Sequence, residues 1–322
     1  MSEQYTYAVA RVRAMEDSLF SDGVIEQLIN CKDESQAITF LEEKGWGGNG
    51  VLSNAEKIFK REEEKTWETV GELKIDLSKF DVLSYPKLFH NLKAAIKAVG
   101  SEQMEWQYFY KDVDIERDEM MQIIQEKAFD HLPAFMQEAA EEATETFLRT
   151  KDGQLCDVII DKAALDAMLK AGKESKERII ETYAETTVAV ADIKIAVRSQ
   201  MTNKALGFVK RSMAECDSLN IEQLSKATQI NKEAIIEYLS TTIYKDGAEA
   251  LKESPSAFER WCDNRMIQAI SPEKTNPFTI GPIFAYVIAR ENEIKTVRII
   301  LSGIRNGLSE ESIRERVRQM YV

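Results

Sequence analysis

The amino-acid sequence predicts an all-α protein of three similar helical domains around a pseudo-threefold axis. Apolar residues recur mainly at helical spacing, and only 14 glycines and 6 prolines interrupt the 322 residues, which is too few for an all-β chain. A short motif also recurs twice at one interval of domain size. Three similar domains in one chain close around an axis when each domain is related to the next by a rotation of about a third of a turn. The expected shape is therefore a ring, a cup or a funnel.

Helical spacing and capping residues mark the individual helices. The apolar residues of segments 35–44 and 311–322 each fall on one face, which predicts a helix in both places. Ser53, Ser225 and Ser309 are residues of the type that caps a helix N-terminus, and acidic residues follow Ser309, as the helix dipole favours. The glycines expected to end helices stand at positions 45, 100, 153, 172, 247 and 303.

Three short segments are expected to be non-helical. Residues 72–80 and 155–161 are long enough for short strands, and we interpret both as extended loops between helices. The sequence GWGGNG (45–50) fits the spacing of a dinucleotide-binding loop, but that loop requires a preceding strand, and here the preceding segment is predicted to be helical. We therefore interpret GWGGNG as a flexible loop that begins with a helix-ending glycine.

The most informative internal signal is a seven-residue repeat. The segments NLKAAIK (91–97), DIKIAVR (192–198) and EIKTVRI (293–299) align without gaps, and their lysines lie 101 residues apart. Each lysine follows an apolar residue, which in turn follows a polar one. A period of about 100 residues is the size of a domain and exceeds that of a solenoid repeat.

A second recurrence supports the same period. The sequences GVIEQL from Gly23 and NIEQL from Asn220 both open predicted helices. Together the recurrences predict a first domain over 1–105, a second over 106–208 and a third, with the C-terminal helix, over 209–322.

The charge balance restricts the partners of the protein. With 42 basic and 55 acidic residues the net charge is −13, which repels a phosphate backbone and argues against nucleic acid as a partner. The stretch 102–145 alone carries 13 acidic and 3 basic residues. It is either a solvated helix surface or an acidic docking face for a basic protein.

Neither a signal peptide nor a membrane span is predicted. The uncharged stretch 275–289 near the C-terminus is too short to cross a bilayer and is broken by proline and glycine, and charges interrupt any apolar core at the N-terminus. The four cysteines are widely spaced, as is typical of reduced and mostly packed thiols. We therefore expect a cytoplasmic protein.

No catalytic, cofactor-binding or metal-binding constellation is predicted. The two histidines, His90 and His131, lie on separate predicted helices, and no cysteine has the spacing of a metal ligand. The pair Gly172-Lys173 is followed by Glu174 instead of a hydroxyl residue, so it does not form a phosphate-binding loop. We expect no bound nucleotide and no nucleotide hydrolysis by this chain.

Five segments carry a resemblance to a known family. They are YAVARVRAMEDSLFS (7–21), YPKLFHNLKAAIK (85–97), DVIIDKA (157–163), FERWCDN (258–264) and the C-terminal block 281–322 with its Pro-x-x-x-Tyr-x-x-Ala-Arg-Glu-x-Glu-Ile-Lys core. On these residues the chain resembles the C subunits of bacterial and archaeal V-type (V/A-type) ATPases and ATP synthases, which are similar to the d subunits of eukaryotic vacuolar ATPases. It departs from the family at GWGGNG, where a loop containing Tyr-Gly is expected.

The resemblance implies an all-helical funnel of three similar domains and a non-catalytic function. It implies a central-rotor subunit that lies on the membrane proteolipid ring at the cytoplasmic face and receives the foot of the central axle, the D and F subunits, in its cavity. Such a subunit transmits torque for ATP-linked proton or sodium transport, while other subunits hydrolyse ATP.

If the three repeats surround one axis, their polar residues lie at similar distances from it. The candidate residues for a cavity lining or an interface are Asn91, Lys93, Asp192, Lys194, Glu293 and Lys295. The alternative is that the lysines form local ion pairs, as Lys295 can with Glu291, or extend along domain seams.

Two other classes of function are compatible with the residues. The first is a generic helical protein-interaction scaffold unrelated to an ATPase, which would have no reason to carry the C-terminal block. The second is a helical hydrolase or oxidoreductase whose active site the sequence does not assemble. Nucleotide binding or turnover by the purified protein would distinguish the enzyme from both others.

Overall fold

The structure is a computed structural model that describes residues 5–48, 54–101 and 109–322. It is 76% helical, and the described residues contain no strand. The prediction of an all-α protein is confirmed. No helix in these ranges is both long enough and apolar enough to span a membrane.

The helices follow one another along the chain with short connections. The α-helices of the described ranges are α1 (Thr6–Glu16), α2 (Asp22–Ile29), α3 (Glu34–Glu43), α4 (Ala55–Glu72), α5 (Tyr85–Ser101), α6 (Arg117–Glu126), α7 (Ala134–Thr150), α8 (Gly153–Ser175), α9 (Arg178–Met201), α10 (Leu206–Ser212), α11 (Ile221–Thr228), α12 (Lys232–Ser240), α13 (Lys245–Glu253), α14 (Pro255–Ile270), α15 (Gly281–Arg305) and α16 (Glu310–Arg314). Short 3-10 helices lie at Leu77–Leu83, Phe129–His131 and Ser271–Thr275.

Packing contacts divide the chain into two compact units. The terminal unit consists of residues 1–77, 177–183 and 244–322, and the middle unit consists of residues 78–176 and 184–243. The terminal unit thus contains the segments at both chain ends. The division of the sequence into three domains stays a prediction.

Helix α15 is the centre of the terminal unit. Every residue from Gly281 to Arg290 is buried, as expected of a helix that is surrounded by other helices. Its second half packs against α2, α3 and α4 from the N-terminal segment, where Val297 and Leu301 share one core with Leu28 and Phe59. The two ends of the chain therefore build a single hydrophobic core.

The middle unit has its main core among α5, α6, α7 and α8. Leu92 and Ile96 of α5, Ile123 of α6, Met136 of α7 and Ile160 of α8 lie together in it. Only Lys151 and Asp152 separate α7 from α8, and such a short connection makes the two helices antiparallel neighbours.

The C-terminal prediction is partly wrong. Ser309 caps α16, as predicted, by accepting a hydrogen bond from the Ser312 amide at 3.2 Å. The helix ends at Arg314, however, and residues 317–322 have no regular secondary structure. Their backbone is held by side chains of other helices: the Gln319 amide donates to Asn264 Oδ1 at 2.8 Å, and Asn292 Nδ2 donates to the Gln319 carbonyl at 2.9 Å. These tertiary hydrogen bonds replace those of a helix.

Other predicted boundaries also differ from the structure. Ser225 lies inside α11, which is capped by Asn220 through a 2.9 Å hydrogen bond from the Gln223 amide. Segment 155–161 is part of α8 and is not a loop. In segment 72–80 the loop is shorter than predicted, because residues 73–76 connect α4 to the 3-10 helix Leu77–Leu83. The predicted cap Ser53 lies outside the described residues.

Most of the glycines do not end helices. Gly45 follows α3 with a φ of +84°, as predicted, but Gly153 begins α8. The other four lie within helices: Gly100, Gly172, Gly247 and Gly303. A Cβ atom on Gly247 would lie 2.6 Å from the Trp261 ring, and one on Gly303 would lie 2.7 Å from Ile313. These two glycines are required for close packing rather than for a turn.

Candidate functional site

The three copies of the repeated motif lie on the long helices α5, α9 and α15. Their polar residues, Asn91, Asp192 and Glu293, are each 0% exposed. A side chain without exposed surface does not line an open cavity, so these three side chains act inside the fold. Because a buried polar group is costly without a hydrogen bond, their partners define what they do.

Asn91 holds the segment that follows α5. Its Nδ2 donates to the Tyr110 carbonyl at 2.8 Å, and its Oδ1 accepts from the Tyr110 amide at 2.8 Å. The side-chain amide thus pairs with one residue as a neighbouring strand would. This fixes the backbone seven residues before Arg117, the first residue of α6.

Asp192 holds the connector 213–219, which joins α10 to Asn220, the N-cap of α11. Its Oδ1 accepts from the Ala214 amide at 3.1 Å. Two turns earlier on the same helix face, Glu185 accepts from the Ser218 amide at 2.8 Å and from the Ser218 hydroxyl at 2.5 Å. Two acidic side chains of α9 therefore bind the connector at two points.

Glu293 holds the segment before α2. It accepts a hydrogen bond from the Phe20 amide, although the two residues lie 273 positions apart. Glu293 also bonds Arg290, whose guanidinium reaches Glu62 Oε2 of α4 at 2.6 Å. All three charged side chains are buried.

The three contacts share one feature, a buried polar side chain that accepts a hydrogen bond from a backbone amide, and we call each such pair of groups a joint. The first, second and third joints are formed by Asn91, Asp192 and Glu293, respectively. Each one fixes an irregular segment that leads into a short helix, namely α6, α11 or α2. Helix α2 contains GVIEQL, and α11 begins with IEQL after its cap Asn220, which explains the second recurrence in the sequence.

The network of the third joint also shapes the glycine loop. Glu62 accepts from the Gly47 amide at 2.8 Å, and Lys65 donates to the Gly45 carbonyl at 2.9 Å. Trp46 is buried, with its ring 5.1 Å from that of Phe20. The prediction of a loop is confirmed for 45–48, and residues 49 and 50 lie outside the described ranges.

Burial shifts the proton affinities of two joint carboxylates. Desolvation raises the pKa of Asp192 to about 8, and the Ala214 amide and Lys162 oppose this shift because they favour the charged form. Desolvation also raises the pKa of Glu293, and the adjacent Arg290 opposes this shift. The joints therefore differ in how the charge of the polar residue is balanced.

Lys93 and Lys295 form ion pairs with neighbouring helices. Lys93 Nζ lies 2.7 Å from Asp161 Oδ1 of α8, and Lys295 Nζ lies 2.7 Å from Asp263 Oδ1 of α14. Lys93 keeps 20% of its side-chain surface exposed and Lys295 keeps 51%, while Lys194 is half-buried. The prediction that the lysines face a cavity or a partner stays a prediction.

Sequence reasoning missed the partners of the lysines and of Glu293. Asp161 and Asp263 lie 102 residues apart, one more than the repeat, and this spacing could have identified them. Glu62 and Arg290 lie 228 positions apart and have no counterpart in the repeat, so only the structure brings them together.

These features can be compared with known proteins. The sequence profile of the ATP synthase (C/AC39) subunit family matches residues 8–316, which is nearly the whole chain. The chain belongs to this family. The match removes the alternative of a helical scaffold unrelated to an ATPase.

Several known proteins align along nearly the whole chain. The C subunit of the V-type sodium ATPase of Enterococcus hirae is 20% identical over 321 residues, which cover 96% of this chain and 97% of the relative. The C subunit of the A-type ATP synthase of Methanocaldococcus jannaschii is 22% identical and covers 96% and 85%, and that of a Desulfurococcus species is 20% identical and covers 97% and 90%.

In this family member, the acidic stretch includes one face of α7. Its exposed glutamates recur at helical spacing: Glu138, Glu141, Glu142 and Glu145. Glu142 pairs with Arg211 at 2.5 Å beside an open cleft of about 310 Å³. Residues 102–108 of the stretch lie outside the described ranges, and the docking of a basic partner here stays a prediction.

No group of three or more histidine, cysteine, aspartate or glutamate side chains is placed to hold a metal ion in the part of the chain that the structure describes. The four cysteines are free thiols: Cys31, Cys156, Cys216 and Cys262. Cys156 and Cys262 are buried, and the other two are half-buried.

Proposed function

We propose that this chain is a non-catalytic central-rotor subunit of a V/A-type rotary ATPase. It couples the central axle, the D and F subunits, to the membrane proteolipid ring during ATP-linked transport of protons or sodium. The observation that carries the proposal is the family match over residues 8–316, together with full-length relatives that are named as the C subunits of such ATPases. In this function the chain lies at the cytoplasmic face of the membrane and binds no nucleotide.

The proposed architecture is a funnel of three similar domains, over 1–105, 106–208 and 209–322, around a pseudo-threefold axis. The recurrence of the joints supports a threefold repeat, since three buried polar residues at intervals of 101 positions make the same contact with an irregular segment. A funnel of this kind offers one cavity for an axle and one rim for a ring.

A subunit that transmits torque must resist deformation, and the joints supply part of that resistance. A closely packed helical core is stiff, and buried hydrogen bonds lose much of their energy when segments slide past each other. The polar residues of the joints therefore keep the irregular segments in register with the long helices.

Lys93, Lys194 and Lys295 are the proposed contacts with the axle. Their support is that the first and third keep exposed surface, and that all three occupy equivalent positions of the repeat.

Co-purification tests the proposed function. Tagged full-length protein is mixed with the D and F subunits, and separately with detergent-solubilised proteolipid ring, across a salt series. Binding of both partners is expected, and weaker axle binding at high salt would indicate electrostatic docking. Failure to bind either partner at low salt would contradict the proposal.

A lysine variant tests the proposed axle contacts. Replacing Lys93, Lys194 and Lys295 with Gln is expected to weaken the binding of the D and F subunits at least tenfold. The control replaces the exposed residues Lys57, Lys170 and Lys245 with Gln, which changes the net charge equally. Equal affinity of the two triple variants would exclude the repeated lysines as contacts.

A nucleotide assay tests the non-catalytic function. The purified chain is expected to neither bind nor hydrolyse ATP. Turnover that persists after separation from all other subunits would favour the enzyme hypothesis.

A further inference from the structure

The second joint differs from the other two in its charge balance. Asn91 is neutral and satisfies both polar atoms on Tyr110, and Glu293 lies against the Arg290 guanidinium. Asp192 accepts a single amide hydrogen bond, and its Oδ2 atom is buried without a hydrogen-bond partner in the described part of the chain. An ionised carboxylate in this position would be uncompensated.

The charged groups around Asp192 do not supply a counter-charge. On α8, Lys162 is paired with Asp166 at 2.6 Å, so its positive charge is largely neutralised. Glu185, on the same helix as Asp192, adds negative charge, and the Cys216 thiol of the connector has a pKa raised to about 12 by burial, which keeps it neutral. The surroundings therefore favour the neutral acid.

We propose that Asp192 carries a proton in the folded protein, and that loss of this proton releases the connector 213–219 from α9. The second joint is then a pH-sensitive contact, whereas the first, whose acceptor is the neutral amide of Asn91, is not. The proton removes the negative charge of Asp192. Asn91 has no charge to balance, and the negative charge of Glu293 is balanced by Arg290. This inference does not depend on the proposed function, because it concerns contacts among residues of the middle unit and involves no partner protein.

The direction of the pH effect follows from the two states of Asp192. Burial raises its pKa to about 8 when the connector is closed, and in an open, hydrated connector the pKa returns toward 3.8. Between these values only the closed state binds the proton, so the open fraction grows as the pH rises, by up to about tenfold per pH unit. Above about pH 8 both states are ionised, and the open fraction becomes constant.

Hydrogen exchange of the full-length protein tests the proposal. Exchange of the peptide that contains residues 213–219 is measured between about pH 6 and pH 9 and corrected for the intrinsic exchange rate. The opening of the wild-type connector is expected to increase at least tenfold, and that of Asp192→Asn is expected to stay constant. Asn91 shows that an amide is compatible with a joint.

Glu185→Gln is the matched control, because it removes a carboxylate that holds the same connector from the same helix. It is expected to raise exchange near Ser218 at every pH while keeping the pH dependence. As a second readout, infrared difference spectra of wild type minus Asp192→Asn should contain the carbonyl band of a protonated carboxylic acid at about pH 6. An equal pH dependence in Asp192→Asn and wild type, or the absence of this band, would overturn the proposal.

Discussion

At the scale of single residues, one structural requirement is met by three different chemistries. Each long helix must hold the backbone of a neighbouring segment from inside the fold, and Asn91, Asp192 and Glu293 all do so with an oxygen acceptor. An amide needs no counter-charge, whereas a buried carboxylate needs a proton or a cation. The three repeat residues therefore all accept a hydrogen bond from a backbone amide, but they differ in the charge of the side chain.

The ion pairs of the third joint predict a strong effect on stability. Arg290 lies between Glu62 and Glu293, and the side chains of all three are at most 8% exposed. Replacing Arg290 with Met removes the cation but leaves two buried carboxyl groups. We expect the free energy of unfolding to fall by about 3–5 kcal/mol in urea titrations.

Arg298→Met is the control for that prediction. Arg298 also lies on α15 and pairs with Glu56 at 2.7 Å, but 45% of its side chain is exposed. A surface pair contributes about 1 kcal/mol or less, so this variant should remain close to wild type. A similar loss of stability in both variants would show that the burial of Arg290 has no special importance.

At the scale of helices, the types of element were more predictable than their ends. The apolar period of residues 35–44 is confirmed by α3, and the Ser309 cap is confirmed by α16. Glycine was a poor guide to helix ends, because a glycine inside a helix is also selected where another side chain comes close. Whether a glycine ends a helix or makes room for a neighbouring side chain depends on the neighbouring helix, and the local sequence does not contain this information.

Two helix ends predict stabilising substitutions. Lys127 after α6 and Lys176 after α8 adopt left-handed conformations with φ near +56°, which glycine adopts without steric cost. We expect Lys127→Gly and Lys176→Gly each to raise the free energy of unfolding by up to about 1 kcal/mol. Thermal unfolding followed by circular dichroism measures the effect.

Lys151→Gly gives a comparison at a third left-handed lysine. Lys151 has a φ of +55°, but its Nζ donates to the Gly100 carbonyl at the end of α5, at 2.9 Å. Loss of this hydrogen bond should offset the gain in backbone freedom. If Lys151→Gly stabilised the protein more than Lys127→Gly, this hydrogen bond would have no role.

Gly247 and Gly207 predict opposite responses to alanine. A Cβ atom on Gly247 would meet the Trp261 ring at 2.6 Å, so Gly247→Ala should destabilise the protein by about 1–3 kcal/mol. Gly207 lies in α10, and apart from its chain neighbours and the backbone of its own helix, no atom of the described residues lies within 4 Å of an added Cβ. Gly207→Ala should therefore stabilise the protein by about 0.5–1 kcal/mol. Chemical unfolding of both variants measures the difference, and the same sign in both would refute the packing argument.

At the scale of the whole molecule, the C-terminal tail connects distant parts of the terminal unit. Arg318 pairs with Asp263 at 2.5 Å, the same carboxylate that binds Lys295, and Met320 and Tyr321 are buried. The tail thus links α14 to a lysine of the repeat. Its position is stabilised by partners from several helices.

Deletion of residues 315–322 tests the contribution of the tail. The loss of two buried side chains and of the Arg318 ion pair should lower the free energy of unfolding by about 3 kcal/mol or more. Limited proteolysis should then cut the terminal unit sooner than the middle unit. Deletion of the half-exposed Val322 alone is the control and should change neither measurement; equal effects of the two deletions would contradict this function of the tail.

The sequence by itself determined the helical class, the period of 101 residues and the family, because periodicity and spaced motifs are properties of the chain. It also located the three joint residues, although it assigned them to a cavity lining or an interface. Only the tertiary structure decided that Asn91, Asp192 and Glu293 are buried, and that the N-terminal helices pack on α15. Burial and long-range pairing depend on which surfaces meet, and residues such as Phe20 and Glu293 meet only after the chain has folded.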